Sequence, residues 1–278
     1  MELKLGVVAA VQMNSGEARD ANLATALRLL REAAGRGAQV AVLPENFSLM
    51  AQRDADRRAL AESDGAGPVQ DFLASTAQEL KLWIIAGSVP LANLASDGRV
   101  WQACLVYDAH GARVARYDKI HLFDVDLPER GESYRESAHL APGNKVVTLD
   151  TPAGRLGLSI CYDLRFPELY RKLVDAGAQW LIVPAAFTAA TGEAHWEPLL
   201  RARAIENLCY VVASGQWGLH PNGRRTWGHS LIVDYWGRIL AQQAEGEGIV
   251  TATLDLVAQA SARRDFPALT HRAILLRT

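Results

Sequence analysis

The regular alternation of short apolar runs with amphipathic helical patterns is the sequence feature that most limits how this chain can fold. Leu3–Met13 is predicted to be a strand, and the apolar residues of Ala21–Ala34 recur at the spacing of one helix face. Ala38–Leu43 is a nearly continuous apolar run, which is typical of a strand buried on both faces. Because strands and helices keep alternating, the sequence predicts an α/β fold in which helices cover the sheets.

The rest of the sequence repeats this pattern as far as a mixed tail that starts at Leu256. Hairpin-like strand pairs late in the chain favour mixed rather than purely parallel sheets. A chain of 278 residues without a low-complexity linker suits one large domain, or at most two. The further predicted elements are helix Val69–Leu80, strand Leu82–Val89, strands Ala103–Asp108 and Val114–Tyr117, strand Arg155–Ile160, helix Pro167–Ala176, strand Trp180–Val183, helix Glu193–Leu208, and strands Tyr210–Ser214, Ser230–Asp234 and Ile249–Leu254.

The charge balance argues against nucleic acid and membrane partners. The chain carries 29 Lys and Arg against 31 Asp and Glu, so no basic excess exists to attract a polyanion or an anionic lipid surface. No apolar stretch approaches the length of a membrane span. The first residues also lack the basic and apolar regions of a secretory signal, so no secretion is expected.

The cysteines indicate a reducing compartment. Cys104, Cys161 and Cys209 are odd in number and too widely spaced for a disulfide framework or a zinc site. A cytoplasmic location is therefore the simpler expectation. We also expect no metal, because the histidines show no metal-binding spacing such as His-Glu-x-x-His.

Three polar residues follow shortly after the ends of predicted strands, and these strands are far apart in sequence. These residues are Glu45, Lys119 and Cys161. In α/β folds, ligands bind beyond the carboxyl ends of strands. The three side chains are therefore expected to meet in one pocket.

A thiol, a carboxylate and an ammonium in one pocket favour covalent catalysis. Each residue alone has an ordinary explanation, as a small buried thiol, a turn glutamate or a solvated lysine. Together, however, Lys119 is expected to lower the pKa of the Cys161 thiol, whose thiolate is the reactive form. Glu45 can accept the thiol proton and later deliver it to a departing nitrogen. Cys161 and Tyr162 lie at a strand-to-helix transition, where backbone N–H groups can point at an oxyanion.

The other cysteines and the histidines fit such a role less well. Cys104 lies within a predicted strand and Cys209 at a helix-to-strand junction, where buried structural cysteine is usual. His121 and His229 are interpreted as structural or as neighbours of the site. His195 begins a helix face and is expected to line the pocket and contact substrate.

Three segments resemble the Glu, Lys and Cys signatures of the nitrilase, or carbon–nitrogen hydrolase, superfamily. They occur in the family's order and are Leu43–Phe47, Tyr117–Asp124 and Ile160–Glu168. The resemblance covers nearly the whole chain from Leu5. It implies that residues 1–278 form a single carbon–nitrogen hydrolase domain.

Within the superfamily, the sequence is most similar to deaminated glutathione amidases, with ω-amidases nearby. Thr191–Glu197 resembles both groups, whereas Arg203–Glu206 and Pro167–Leu169 favour the first. One departure is Tyr235, where the family usually has Pro. Another is the loop Pro128–Tyr134, which lies beside Glu136 and is expected to reshape the pocket.

The resemblance implies a four-layer αββα sandwich with two mixed β-sheets. It also implies a homodimer or a larger homo-oligomer, with Pro167–Ala176 and Glu193–Leu208 at the interface. Glu136 matches the family's supporting carboxylate, which would orient Lys119 and the substrate. The alternative is that Glu136 is a glutamate of a surface loop.

The implied activity is hydrolysis of a small amide that bears a carboxylate. The amide would form a thioester with Cys161 and yield a carboxylic acid and ammonia, without a metal or an organic cofactor. The expected substrate is deaminated glutathione or a related ω-amide of a 2-oxo acid.

Several residues are candidates for binding that substrate. Arg165 is expected either to bind the substrate carboxylate or to pair structurally with Asp163 or Glu168. Phe187 and Thr188 are candidate pocket walls, and they join Tyr162 and His195 as the expected binding residues.

Three alternatives stay open at this point. The chain could be an ω-amidase acting on 2-oxoglutaramate. It could be a nitrilase or an N-carbamoyl amino acid hydrolase on the same scaffold. It could also be a binding protein with an inactive site, which the intact set Glu45, Lys119 and Cys161 disfavours.

Overall fold

The apolar runs form two β-sheets in the computed structural model, which describes residues 5–93, 98–128 and 131–274. The seven strands of the first sheet are β1 (Leu5–Gln12), β2 (Val40–Val42), β3 (Trp83–Ile85), β4 (Val89–Ala92), β5 (Val100–Tyr107), β6 (Arg113–Asp118) and β17 (Gly248–Asp255). Their spatial order is β17-β1-β2-β3-β5-β4, and β6 pairs with β5. The sheet is mixed, because β1, β2 and β3 run parallel while β17 and β5 are antiparallel to their neighbours.

The second sheet is also mixed. Its six strands are β9 (Thr148–Thr151), β10 (Gly154–Gly157), β11 (Trp180–Ala185), β12 (Tyr210–Gly215), β15 (Ser230–Val233) and β16 (Ile239–Gln243). Strands β10, β11 and β12 are parallel, and antiparallel strands flank them on both sides. Two separate hairpins are β7 (Asp124–Leu127) with β8 (Glu132–Arg135), and β13 (Trp217–Leu219) with β14 (Arg225–Trp227).

Helices cover the outer face of each sheet. The α-helices of the described residues are α1 (Arg19–Gly35), α2 (Asp54–Ala59), α3 (Pro68–Leu80), α4 (Pro167–Asp175), α5 (Ala189–Asn207) and α6 (Leu256–Asp265). Helices α1 and α3 pack on the first sheet, α4 and α5 pack on the second, and the two sheets face each other through β1 and β12. The predicted four-layer αββα sandwich is therefore confirmed.

Strand β1 explains why the sequence shows apolar runs without alternation. Val8 and Ala10 point into the core between the two sheets, whereas Ala9 and Val11 pack in the core beneath the helices. All four side chains are fully buried. A strand with two buried faces must be apolar at every position, as the sequence predicts.

The two sheets are also joined by a buried hydroxyl. Ser214 accepts a hydrogen bond from Val11 N at 3.3 Å and donates one to Val42 O at 2.8 Å. A buried hydroxyl is tolerated when it is hydrogen-bonded, and here both partners belong to the facing sheet. Ser214 therefore fixes the register of one sheet against the other close to the end of β2.

Two predicted elements differ from the structure. The apolar run Leu82–Val89 is two strands, because the chain turns at Gly87 with a φ of +55°. The tail begins with a helix, Leu256–Asp265, and the Asp255 carboxylate caps it by accepting hydrogen bonds from Val257 N and Ala258 N at 3.0 and 2.9 Å.

Parts of two predicted segments lie outside the described residues. These are the start of the first predicted strand, residues 3–4, and residues 129–130 of the predicted pocket loop. Within the ranges that the structure does describe, no helix combines the length and the apolar character needed to cross a bilayer.

Gly87 leads to a testable prediction about the strand that carries Glu45. A Cβ at position 87 would lie 2.0 Å from the carbonyl oxygen of Pro44, so Gly87→Ala should displace the backbone beside Glu45. We expect a loss of about 3 kcal/mol or more in the free energy of unfolding. Denaturant unfolding monitored by circular dichroism measures it.

Gly37 offers a matched control for this substitution. It also has a positive φ, +81°, but a Cβ there meets no atom within 4 Å. Gly37→Ala should therefore cost only about 1–2 kcal/mol, the ordinary penalty of a left-handed alanine. Equal losses in the two variants would show that the contact with Pro44 has no effect.

Candidate active site

Glu45 is fixed by groups from both sheets. It follows β2 in a fully buried turn, where Asn46 N donates to the Ser88 hydroxyl at 2.8 Å. The side chain of Gln216 donates to the backbone carbonyl of Glu45 at 3.1 Å. Carboxylate oxygen Oε2 of Glu45 accepts a hydrogen bond from Ala186 N, just after β11, at 2.8 Å. The other carboxylate oxygen of Glu45, Oε1, faces Lys119.

Lys119 lies between two carboxylates. Its Nζ is 3.0 Å from Oε1 of Glu45 and 2.8 Å from Oε2 of Glu136. Lys119 and Glu45 are each only 1% exposed. Glu136 opens a short 3₁₀ helix, Glu136–Ala138, and also accepts a hydrogen bond from Phe123 N at 2.8 Å. The structure thus brings these three predicted residues together, and Glu136 is not isolated in a surface loop.

Cys161 lies at a strained turn between a strand and a helix, which we call the Cys161 elbow. The chain leaves β10 and enters a 3₁₀ helix, Cys161–Arg165, that starts with Cys161 at a φ of +47°. A non-glycine residue in this region costs about 1–3 kcal/mol, and such strain concentrates at functional sites. The first N–H groups of a helix have no partner within the helix, so the N–H of Tyr162 is available to an oxyanion.

Asp163 connects the elbow to the segment that carries Lys119. Its buried carboxylate accepts hydrogen bonds from Ile160 N at 2.8 Å and from the Tyr117 hydroxyl at 2.7 Å. It also lies 2.7 Å from Nδ1 of His121. Tyr117 and His121 flank Lys119, so one carboxylate holds both chain segments. The sequence analysis considered Asp163 only as a partner of Arg165 and missed this role.

The electrostatics of Cys161 differ from the sequence expectation. Burial raises the pKa of the Cys161 thiol well above its usual value, and the charge of Glu45 adds to this. Lys119 and Arg224 oppose the effect but do not overcome it. Lys119 therefore lowers the pKa of the thiol as expected, but desolvation exceeds the attraction of the cation, so the pKa is raised overall.

Glu45 and Lys119 are held in their charged forms. Burial alone would raise the pKa of Glu45, but the charges of Lys119 and Arg224 and the hydrogen bonds to its carboxylate lower it below the usual value. Burial would likewise lower the pKa of Lys119, but Glu136 and Glu45 raise it. The site therefore contains a carboxylate and an ammonium next to a neutral thiol.

A narrow pocket opens in front of Cys161. Its volume of about 10 Å³ is close to the space that one water needs, so a substrate can enter only when its walls move. The lining residues are Phe123, Glu136, Cys161, Tyr162, Arg165, Phe187, Thr188, Thr191 and Arg224. Four of the five expected binding residues are in this set, and His195 is not.

Arg165 lies against the aromatic wall of the pocket. Its guanidinium is 5.0 Å from the centre of the Phe187 ring, and Nη1 is 3.2 Å from Nδ1 of His195. Among the described residues it forms no ion pair with Asp163 or Glu168, so the structural pairing considered from the sequence is not found. His195 is exposed and touches Arg165 instead of lining the pocket.

Arg224 lines the pocket but was not predicted from the sequence. It precedes β14, its Nη2 donates to the Ala186 carbonyl at 2.5 Å, and its guanidinium lies 5.2 Å from the centre of the Tyr134 ring. Its charge acts on both Glu45 and Cys161. In sequence it stands in a polar turn beside another arginine, which is typical of a solvated loop, so no local signal identified it. Phe123 and Thr191 also line the pocket; both lie in segments that resemble the family, but neither was predicted to bind substrate.

This arrangement can carry out a covalent substitution at a carbonyl carbon. It combines a thiol, a carboxylate that can accept its proton, and an ammonium that can stabilise an oxyanion. Within the described ranges, no group of three or more His, Cys, Asp or Glu side chains is arranged to hold a metal ion.

Comparisons with known proteins agree with this geometry. The family model described as carbon–nitrogen hydrolase matches residues 7–264. The chain is 42% identical to a deaminated glutathione amidase of Yersinia enterocolitica over 97% of this chain and 93% of that protein. It is 41% identical to the human deaminated glutathione amidase over 97% of this chain and 83% of that protein.

Solved structures show the same fold. The chain matches the Caenorhabditis elegans NitFhit protein with a TM-score of 0.91 and 36% identity, over 98% of this chain and 66% of that one. It therefore spans about two thirds of the length of that protein. Nit3 of Saccharomyces cerevisiae, described as a member of branch 10 of the nitrilase superfamily, matches with a TM-score of 0.86 and 30% identity over 97% of both chains.

The raised pKa of Cys161 gives a testable pH dependence. A thiol whose pKa is raised keeps its proton up to a higher pH, so the empty protein should contain no Cys161 thiolate at neutral pH. The measurement is ultraviolet thiolate absorbance during a pH titration, with the signal of Cys161→Ala subtracted to remove Cys104 and Cys209. The difference in absorbance between the two proteins should rise only above a pH of about 8.5, the ordinary pKa of a cysteine thiol. A difference signal already present at neutral pH would contradict this assignment.

Proposed function

The chain belongs to the carbon–nitrogen hydrolase family and is a hydrolase of carbon–nitrogen bonds other than peptide bonds, and from that premise we propose that it uses Cys161 to hydrolyse deaminated glutathione or a related amide of a 2-oxo acid. The observation that carries the proposal is the position of Lys119 between Glu45 and Glu136, since Glu136 lines the pocket that contains Cys161.

The first half-reaction makes a thioester. The Cys161 sulfur attacks the amide carbonyl carbon while its proton passes to Glu45. The carbonyl oxygen becomes an oxyanion, which Lys119 and the N–H of Tyr162 stabilise, each such donor contributing about 3 kcal/mol. The carbon–nitrogen bond then breaks, and Glu45 returns the proton to the departing nitrogen.

The second half-reaction releases the acid. Glu45 takes a proton from water, and the resulting hydroxide attacks the thioester carbonyl. Lys119 again stabilises the oxyanion. When the carbon–sulfur bond breaks, Cys161 recovers its proton from Glu45, and the carboxylic acid leaves. Glu136 keeps Lys119 in place through both steps.

The substrate proposal rests on the relatives and on the pocket. Proteins at 41–42% identity are named deaminated glutathione amidases. Arg165 lines the pocket and is placed to bind the carboxylate of a 2-oxoglutaryl group. In deaminated glutathione the scissile nitrogen belongs to cysteinylglycine, so the amine product is that dipeptide and not the ammonia that was expected from the sequence. A primary amide such as 2-oxoglutaramate shares the same acyl group and releases ammonia, which keeps ω-amidase activity as the second candidate.

A substrate panel tests the proposal. We expect the wild-type protein to release 2-oxoglutarate from deaminated glutathione, with 2-oxoglutaramate a poorer substrate, and to leave a nitrile and a ureido acid of similar size nearly unreacted. Cys161→Ala should lose at least about 10⁴-fold in kcat, because the nucleophile is removed. The measurement is 2-oxoglutarate formation for the amides and loss of starting material for the other two compounds.

Cys104→Ala is the matched control for this experiment. Cys104 is also buried, but it lies within β5 rather than in the pocket, so this variant should keep most of its activity. Thermal melting establishes that Cys161→Ala is folded. Preferred turnover of the nitrile or the ureido acid, or an active and folded Cys161→Ala, would refute the proposal.

We also propose that residues 1–278 form one domain and that two or more copies associate. The family model spans residues 7–264, which supports a single domain. Three exposed apolar side chains support association: Ile205 on α5 is 50% exposed, Trp236 48% and Phe266 54%. The rings of Trp236 and Phe266 are 5.8 Å apart, and Ile205 lies against Gly237. An apolar patch beside α5 fits the interface that the family resemblance implied.

Light scattering coupled to size-exclusion chromatography tests this association. The wild-type protein should elute at the mass of a dimer or a larger oligomer, and Ile205→Asp should shift it toward the monomer, because a charge buried in an interface is costly. Val114→Asp is the control, since Val114 is 44% exposed but lies on β6 of the other sheet. A monomeric wild-type protein, or an equal shift in both variants, would contradict the proposed interface.

The cysteines support a cytoplasmic location. Cys104, Cys161 and Cys209 are all free and buried. A site that depends on a reduced thiol suits a reducing compartment. We therefore propose that the enzyme works in the cytoplasm.

A further inference from the structure

A second and larger cavity adjoins the pocket in front of Cys161. Its volume is about 410 Å³, which falls in the usual range of small-molecule sites. The residues that line it are Met50, Ala51, Gln52, Arg53, Arg57, Gly131, Glu132, Ser133, Tyr134, Asn222, Gly223 and Arg224. Arg224 lines both spaces, so it stands at the point where they meet. We call this second space the outer cavity.

The outer cavity has a cationic lining. Its described residues include three arginines, Arg53, Arg57 and Arg224, against one carboxylate, Glu132. Glu132 already accepts a hydrogen bond from the Tyr134 hydroxyl at 2.9 Å. Arg53 is paired with Asp56 at 2.9 Å, whereas Arg57 forms no hydrogen bond or ion pair with any described residue. The cavity therefore offers cationic groups that an anionic ligand can bind.

Arg224 has an unused donor at this junction. One guanidinium nitrogen donates to the Ala186 carbonyl, but the buried Nε has no hydrogen-bond partner among the described residues. A buried donor without an acceptor is unfavourable, and a ligand oxygen at the junction would satisfy it.

An amide substrate has an acyl half and an amine half, and the inner pocket, with a volume of about 10 Å³, has space for one of them only after its walls move. The acyl carbon must reach Cys161, and Arg165 and Phe187 lie on that side. The amine half must therefore extend away from the inner pocket. The outer cavity adjoins that pocket through Arg224, so it is the space that can receive the amine half.

We propose that the outer cavity binds the leaving amine, and that the enzyme selects amides whose amine half bears a carboxylate, such as N-acyl amino acids and N-acyl dipeptides. This inference rests on the proposed amidase function. Arg57 binds the terminal carboxylate of the amine half, and the Nε of Arg224 binds an oxygen closer to the scissile bond. A primary amide has no group to place there and gains nothing from these contacts.

A pair of substrates that differ only in the terminal charge tests the proposal. The pair is deaminated glutathione and the same compound with its glycine carboxylate converted to a carboxamide; 2-oxoglutaramate is a third arm. For the wild-type protein, kcat/KM should be about tenfold higher for the carboxylate form, and most of the difference should lie in KM, because a charge-assisted contact is lost in the carboxamide.

Two arginine variants on the same helix show whether the outer cavity causes this preference. Arg57→Ala should reduce the carboxylate preference about threefold, since one of the cationic groups is removed. Arg58→Ala is the matched control: it removes the same charge from the next position of α2, but Arg58 is exposed and does not line the cavity. Arg58→Ala should keep the full preference.

The outcomes separate this inference from the proposed function. Equal turnover of the two forms by the wild-type protein, or an equal effect of Arg57→Ala and Arg58→Ala, would overturn the outer-cavity inference and leave the amidase function intact. Hydrolysis of 2-oxoglutaramate with neither form of deaminated glutathione consumed would overturn both the preferred substrate and the role of the outer cavity. A carboxylate preference that falls only in Arg57→Ala supports the inference.

Discussion

The pairing of one buried ammonium with two carboxylates is the interaction on which this site depends. Lys119 holds Glu45 and Glu136 at hydrogen-bond distance; Lys119 and Glu45 are almost fully buried, and Glu136 is partly exposed. Removing Lys119 would leave two carboxylates without their cation, at a cost of about 3–5 kcal/mol. The three side chains therefore keep one another in place, and the positive charge of Arg224 offsets the second carboxylate.

The fold brings these charges together because strands of both sheets end at the same place. Glu45 follows β2 in the first sheet, and Ala186, which donates to its carboxylate, follows β11 in the second. Lys119 follows β6, and Asp163 ties that segment to the Cys161 elbow. A shift of one sheet against the other would separate donor from acceptor. The Ser214 hydroxyl, which bonds to the facing sheet, therefore supports the site as well as the core.

The sequence predicted the features that depend on local pattern. Strand β1 is apolar from Leu5 to Val11 because both of its faces pack in a core, and motif order placed Glu45, Lys119 and Cys161 near one another. Features that depend on contacts between distant segments were not predictable. The break at Gly87 is hidden in a continuous apolar run, and Arg224 reaches the site from a hairpin whose residues look like a solvated turn.

The reactivity of Cys161 was the least predictable property, because it depends on the balance between burial and charge. In the empty site the thiol pKa is raised and the Glu45 pKa is lowered, so proton transfer between them is uphill, by about 1.4 kcal/mol for each unit of difference. A substrate changes that balance. As the carbonyl oxygen gains negative charge, Lys119 is drawn toward it, and its hold on Glu45 weakens. Glu45 then becomes a stronger base at the moment the sulfur attacks. The raised thiol pKa therefore fits a mechanism in which the thiol passes its proton to Glu45 as the sulfur attacks the carbonyl carbon.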